Sequence, residues 1–334
     1  MKLDVYPDAA IFGTLAAEWT KLLTAVPGHS IFATPEWTET CWRAFGEGHD
    51  LCLMTVRDGT DLVGVVPLSV AHEGERRVVR FLAYQEVTDY EDIVARPGLE
   101  EAVWQQALAY LSAQPWDLDL HNIPAASPTI DSLSTLGAAS GYAVTVEVED
   151  VCPLIAPLPA DFETYLDSLD KKARHELRRK LRRLTGDEDT GAEITWRRDD
   201  LPKAMDDFVR LHRLSSVDKD AFMTPRMTAF FSDVAQMCQQ RGWLCLAFLA
   251  VQGVPVSTIM AFEYGQTFYL YNSGYDPDYE YMSAGLLLKA LAIEHAIKSG
   301  MTCYDFLQGN ERYKYDLGGK DTTVCRVQCV HTGK

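Results

Sequence analysis

The sequence predicts an α/β protein made of two related domains, on three observations. The stretch from Phe268 to Tyr315 reads as a strand, a helix and a second strand in succession. The words FATPEWTETCWRAF then LCLMTV return, about 190 residues later, as FMTPRMTAFFSDVA then LCLAFLAV, which suggests duplication of one domain. Pro153, Pro157 and Pro159 cluster between two patterned regions, so a boundary is expected near Val148 to Pro159, with domains at 1–150 and 151–334.

The elements follow in order. Ala9 to Leu23 reads as a helix, and in Phe32-Ala33-Thr34-Pro35 the threonine caps a second one whose first position is the proline. Leu51 to Val56 and Leu62 to Val70 are strands joined by the Asp58-Gly59 turn. A helix over Glu100 to Ala113 and a strand over Trp116 to Leu120 come next. Past the boundary, Leu169, Ala173, Leu177, Leu181 and Leu184 recur at helical spacing within DKKARHELRRKLRRL, with cations fanning out around the rest. Phe222-Met223-Thr224-Pro225 opens a helix to Gln240, and strands at Leu244 and at Val256 to Tyr264 flank the Gln252-Gly253 turn. An aromatic strand at Phe268 to Tyr271, an acidic loop over Asn272 to Glu280, a helix capped by Ser283 and a strand over Met301 to Leu307 close the series. In such a unit ligands sit beyond the carboxyl ends of the strands, where the helix start offers N–H groups to an anion.

At 334 residues, 47% hydrophobic and 24% charged, the chain is long enough to fold throughout as two domains. A net charge of -17 argues against coating nucleic acid or an anionic membrane by bulk attraction. The N-terminus shows no basic segment followed by an apolar core, and no run approaches roughly 18 apolar residues, so neither signal peptide nor span is expected and the location is read as cytoplasmic. The eight cysteines form no C-x-x-C pair and read as buried cytosolic thiols. No histidine spacing suggests metal ligands, and no metal is expected; His121 follows a strand, and His295 reads as a packed or surface residue in mid-helix.

Read in order, Y-x-S-G-Y-D (Tyr271 to Asp276), S-A-G-L-L-L (Ser283 to Leu288) and D-F-x-x-G-x-E-x-Y-K (Asp305 to Lys314) resemble the C-terminal half of the CelD-like acyltransferases, a branch of the GNAT superfamily related to the Fem-type peptidyltransferases. The resemblance implies tandem GNAT-like domains, each a mixed central sheet flanked by helices, with a cleft between them. It implies an N-acyltransferase moving an acetyl, acyl or aminoacyl group from a thioester or ester to an amine on a small molecule or peptide. The donor would be acyl-CoA, as co-substrate, or aminoacyl-tRNA. The alternative is a catalytically degenerate relative that binds an anionic ligand or a protein partner without turnover.

Site residues are carried over where they match. GNAT enzymes hold the coenzyme A diphosphate on backbone N–H groups of a [RQ]-x-x-G-x-[GA] loop, here ending in Ser283, Ala284 and Gly285; Ser283 stands for the first glycine, and Glu280, a carboxylate that would repel a diphosphate, for the cation or amide. The basic helix resembles one that opens the second domain in the family, which implies an anion-holding role for Arg174 and Arg178; a solvated face is the other reading. Acyl transfer needs a polarised carbonyl and an amine that loses a proton. Asp305 and Glu311 are candidates to orient or deprotonate that amine, Tyr313 to donate a proton and Lys314 to hold a phosphate or oxyanion; Asp305 capping the following turn is the alternative. Thr88-Asp89-Tyr90-Glu91-Asp92 matches a family S/T-D-Y-x-D loop, so Asp89, Tyr90 and Asp92 either bind a cationic amine or form a plain loop. Tyr275 and Gly309, by their places in the motifs, complete the substrate-facing set.

Overall fold

The computed structural model describes residues 1–186, 191–196 and 200–332. The chain divides into two compact units, residues 1–151 with 323–334, and residues 152–322. The segment 323–334, expected in the second domain, therefore belongs to the first unit. Its reason is pairing: residues 324–329 run antiparallel to 118–124, with Val327 opposite Leu120.

The first unit follows the order β1 (Lys2–Tyr6), α1 (Ile11–Leu23), α2 (Pro35–Phe45), β2 (His49–Asp58), β3 (Asp61–Glu73), β4 (Arg76–Phe81), β5 (Val94–Ala95), α3 (Glu100–Leu111), β6 (Asp117–Pro124), α4 (Pro128–Ala139) and the start of β7 (Tyr142–Ile155). Thr34 caps α2 by accepting from the Trp37 N–H at 3.3 Å, and Gly59 takes the left-handed conformation the β2–β3 turn needs. β1 to β4 pair antiparallel, α3 crosses over, and β6 returns parallel to β4. Strand period sorts the core. Cys52 and Met54 face α3, where Trp104, Leu108 and Leu111 pack, while Leu51 and Leu53 face Leu15, Trp19 and Leu22 of α1. Each such large side chain taken fully from water contributes about 1.5–3 kcal/mol.

The second unit takes the end of β7, α5 (Phe162–Ser168), α6 (Lys171–Gly186), β8 (Ala192–Trp196), α7 (Leu201–Leu214), α8 (Val217–Phe222), α9 (Pro225–Arg241), β9 (Leu244–Val251), β10 (Val254–Tyr264), β11 (Thr267–Tyr275), α10 (Ala284–Lys298), β12 (Cys303–Asp305), α11 (Arg312–Asp316) and the start of β13 (Lys320–His331). Thr224 caps α9 as Thr34 caps α2. β8 to β11 pair antiparallel, α10 crosses over, and β12 returns parallel to β11. The two units thus share one plan, a mixed sheet of antiparallel strands closed by a parallel one after a crossover helix. Leu288, Ala292, Ile293 and Ala296 of α10 pack on Cys245, Ala247, Ile259 and Phe268 of that sheet.

Local readings differ in three places. β11 runs on to Tyr275 because Ser257 to Met260 continue to pair with it, so the acidic loop is shorter and closes as a 3-10 turn over Pro277–Met282. The last strand shrinks to Cys303–Asp305. None of the eight cysteines is in a disulfide; Cys303 is half-buried and the others are buried. Ser283 does not cap α10 with its side chain: it sits at φ 57°, ψ 36°, left-handed, a conformation that directs its backbone N–H to Glu280 O at 2.8 Å.

At Gly274 a Cβ would lie 2.4 Å from the backbone nitrogen of His212, so α7 and β11 can approach this closely only without a side chain. Gly274→Ala should therefore cost about 2 kcal/mol or more by overpacking. Gly13→Ala, where a Cβ in α1 meets nothing within 4 Å, should add about 0.5–1 kcal/mol. Urea midpoints of the two variants check the opposite signs.

Candidate functional site

The site is built where β11, α10, α6 and the loop after β12 meet in the second unit. With Ser283 left-handed, no side chain caps α10, a 15-residue helix, and its first N–H groups have no partner within the helix. Beside them lies a cavity of about 350 Å³ lined by Tyr281, Ser283 and Leu287 on one side and by Arg179, Lys180 and Arg183 of α6 on the other. Arg183 reaches Tyr281 O at 3.4 Å. Arg179 forks onto Glu176 at 2.7 and 3.0 Å, and Lys180 lies 3.6 Å from the same carboxylate. Glu280 is exposed and does not line the cavity, so the carboxylate expected to repel an anion there stands aside.

Arg174 and Arg178 are elsewhere on α6. Arg178 pairs with Glu163 at 2.7 Å and Asp167 at 3.2 Å, and Arg174 donates to Asp167 O at 2.9 Å, so this row fastens α6 to α5. Periodicity finds both rows of cations but does not tell which one meets α10. Lys171, Lys172, Arg174, His175 and Arg178 line a separate depression along the same helix.

Behind the helix start three lysines converge. Lys289, one turn into α10, is 7% exposed; its Nζ lies 4.7 Å from the centre of the Tyr313 ring and 3.4 Å from Gly285 O. Burial first, then the charge on Lys219, push its ammonium down to about 7 against the pull of Glu311. Lys219 of α8 donates to Ser273 O, and burial brings it down to about 8, with Glu311 opposing. His212, 1% exposed among Phe208, Phe222 and Phe231, is held near 4 by burial and by Lys219, hence neutral.

Lys314 is 1% exposed, and its Nζ donates to Leu307 O, Gln308 O and Gly309 O at 3.0, 2.5 and 3.1 Å, with Glu311 Oε2 at 3.0 Å. Asp305, 4% exposed, accepts the Leu307 N–H at 2.8 Å, which holds Leu307 at φ 60°. These two residues shape the loop, and the turn-capping reading of Asp305 is the one its geometry matches. Gly309, at φ 109°, has Glu311 Oε2 only 2.5 Å from where a Cβ would be. Glu311 is exposed; Tyr313 is half-buried, and burial followed by Glu311 raises its phenol well above the usual range. The Tyr275 N–H donates to Ser215 Oγ at 2.8 Å and the Ser215 hydroxyl lies 3.3 Å from Tyr275 O, while the Tyr275 ring covers Gly285 at 3.6 Å from an added Cβ. Ala284 is buried under the helix start.

In the first unit Asp92 accepts from the Ile93 N–H at 2.7 Å, from Thr129 Oγ1 at 2.5 Å and from Ser127, tying its loop to the start of α4. Asp89 and Tyr90 are half-buried, with the Tyr90 ring 6.1 Å from Phe32. His121 binds Glu149 and lies 3.4 Å from Asp119, which Arg326 grips at 2.7 and 2.8 Å; burial alone would lower this imidazole, but the two carboxylates outweigh it and raise it to about 9.

Lys219 and Lys289 were absent from the expected set. Lys289 leaves a trace in the sequence, as the one charge within the apolar run Gly285 to Ile293. Lys219, between Asp218 and Asp220, is indistinguishable there from a solvated residue.

An unfolded lysine keeps its proton to about 10.5, whereas folded Lys289 releases it above about 7. The unfolded state thus binds more protons between these values, and Lys289 makes stability rise with pH across the window and depresses it below. Lys289→Met should be more stable than the parent at neutral pH and should lose that part of the slope, as read by urea denaturation at several pH values.

Residues 171–315 match the family model described as the acetyltransferase (GNAT) domain. Comparison with curated proteins yields no significant match. Among solved structures the chain is similar to FemX, at 11% identity and a TM-score of 0.69 over 98% of this chain and 97% of that one. It is similar to L-PGS from Bacillus licheniformis, at 10% identity and 0.57 over 98% and 93%. It is also similar to a tandem GNAT protein from the clavulanic acid biosynthesis pathway, at 15% identity and 0.54 over 98% and 99%. At these identities the likeness concerns the fold, and it agrees with the repeated plan of the two units. The chain has the tandem GNAT-like fold, with an acetyltransferase (GNAT) domain matched at 171–315.

Proposed function

We propose that the second unit transfers an acyl or aminoacyl group from a phosphate-bearing donor to an amine. The observation that carries this reading is the cavity in which the uncapped start of α10 meets Arg179, Lys180 and Arg183. Backbone N–H groups and a cationic wall on one cavity are the complement of a phosphate or diphosphate. Along α10, Lys289 lies five residues beyond Ala284, about 7.5 Å at the helical rise, which suits a donor anchored by its phosphates and reacting deeper in.

The chemistry then assigns roles. The incoming ammonium must lose a proton, and Lys289, neutral in good part near pH 7, can accept it. The tetrahedral intermediate carries an oxyanion, which Lys219 and the Tyr313 hydroxyl can stabilise in a site that excludes water. Lys314 and Asp305 act by holding the loop that presents Tyr313 and Glu311. Acceptor binding is assigned to Glu311, Tyr275 and the backbone at Gly309. The motifs over Tyr271 to Lys314 support a place in the CelD-like branch.

One observation favours aminoacyl-tRNA over acyl-CoA as donor: the cations continue along α6 past the cavity, with Lys171, Lys172 and Arg182 exposed. A polyanion would use this face; coenzyme A would not reach along it.

Arg183→Ala should weaken donor binding about tenfold to a hundredfold, the worth of one charge-assisted hydrogen bond. Arg178→Ala, which opens the contact with α5 outside the cavity, should leave the binding of a coenzyme A ester unchanged. Titration calorimetry with coenzyme A esters and fluorescence anisotropy with charged tRNA distinguish the donors. Failure of both donors to bind would leave a binding protein without turnover, and release of thiol or uncharged tRNA only with an amine present would establish transfer.

A further inference from the structure

At the C-terminal end of α10, away from the donor cavity's residues, Cys245 of β9, Glu263 of β10 and His295 of α10 bring a thiol, a carboxylate and an imidazole within 4.8 Å of one another. We propose that these three residues form a zinc-binding site. A sulfur, a nitrogen and an oxygen donor make a set that zinc accepts readily, and bonds of about 2.0–2.3 Å to a tetrahedral ion would put the donors about 3.5 Å apart. The His295 Nε2 and Glu263 Oε1 atoms, now 2.7 Å apart, would separate slightly, and the thiol would close in.

Three features support a metal over a simple ion pair. Register fixes the donors: Cys245 pairs with Ala261, and the Glu263 N–H donates to Trp243 O at 2.8 Å, so two strands and a helix present one ligand each. The imidazole is held in plane by Trp196, stacked 4.1 Å away at 25°. The end of α10 directs its carbonyls this way, which favours a cation, and the neighbouring Lys298 is paired with Glu294 at 2.6 Å. Cys245 is 1% exposed, whereas the side chains of His295 and Glu263 are 25% and 17% exposed. A zinc ion would therefore have three protein ligands and a fourth position open to water, and Ser299 Oγ, 3.4 Å from His295 Nε2, lies beside it. Binding replaces the His295–Glu263 hydrogen bond and releases the thiol proton to solvent.

The test uses the full chain. Purified protein given zinc and dialysed should retain about one ion per chain, gain thermal stability and, with cobalt instead, show a thiolate-to-cobalt charge-transfer band. Cys245→Ser and His295→Asn should lose the retained metal and the band. Cys238→Ala, a buried thiol on α9, and His175→Asn, an exposed imidazole on α6, should keep both. If either ligand variant fails to fold, Glu263→Gln and the cobalt spectrum of the parent decide. No stoichiometric zinc in the parent, a cobalt spectrum without sulfur ligation, or unchanged retention in a ligand variant overturns the proposal.

Discussion

One buried ammonium shapes the second unit's loops. Lys314 spends its Nζ on three successive carbonyls, Leu307 to Gly309, and on Glu311. Three carbonyls pointing at one place repel each other unless a cation sits among them, so the turn exists because the lysine does. Asp305 fixes the opposite side of the turn through the Leu307 N–H. From this follow the left-handed Leu307, the need for glycine at 309, the placement of Glu311 beside two depressed lysines and the approach of Tyr313 to Lys289. The residues that look most chemical by type are here the ones that build, and the residue with the most perturbed cation lies inside an apolar helix face.

Much of the architecture could be read from local signals. Thr34-Pro35 and Thr224-Pro225 announced two helix starts because an N-cap hydroxyl and a proline at the first position act within four residues, and Gly59 marked its turn for an equally local reason. The repeated words reflect two units whose strands pair in the same order. Local signals are silent where the deciding interaction is distant in sequence. Glu163 and Asp167 claim Arg174 and Arg178, which turns the next row of α6 toward the helix start. Ser283 had the right type for a cap, yet the turn before it sets a left-handed backbone that no side-chain preference reveals. The Asp92 carboxylate, promising in a motif, is claimed by Ser127 and Thr129 from another element.

Charge is handled differently at the two ends of α10. At its start the backbone and α6 supply positive potential with no carboxylate lining the cavity. At its end a carboxylate, an imidazole and a thiol gather against the negative pole. Among the described residues no helix is long and apolar enough to cross a membrane, so α10 owes its apolar face to the sheet beneath it.

The strand that pairs with the far side of β6 has a consequence for synthesis. Arg326 clasps Asp119 across 207 positions of chain, and Val327 lies against Leu120. While a ribosome is still making the second unit, β6 has a bare edge, and an unpaired edge is a template for wrong partners. The amino-terminal half stays incompletely zipped until translation has passed residue 331, so the first unit completes its pairing only after the whole second unit has been made.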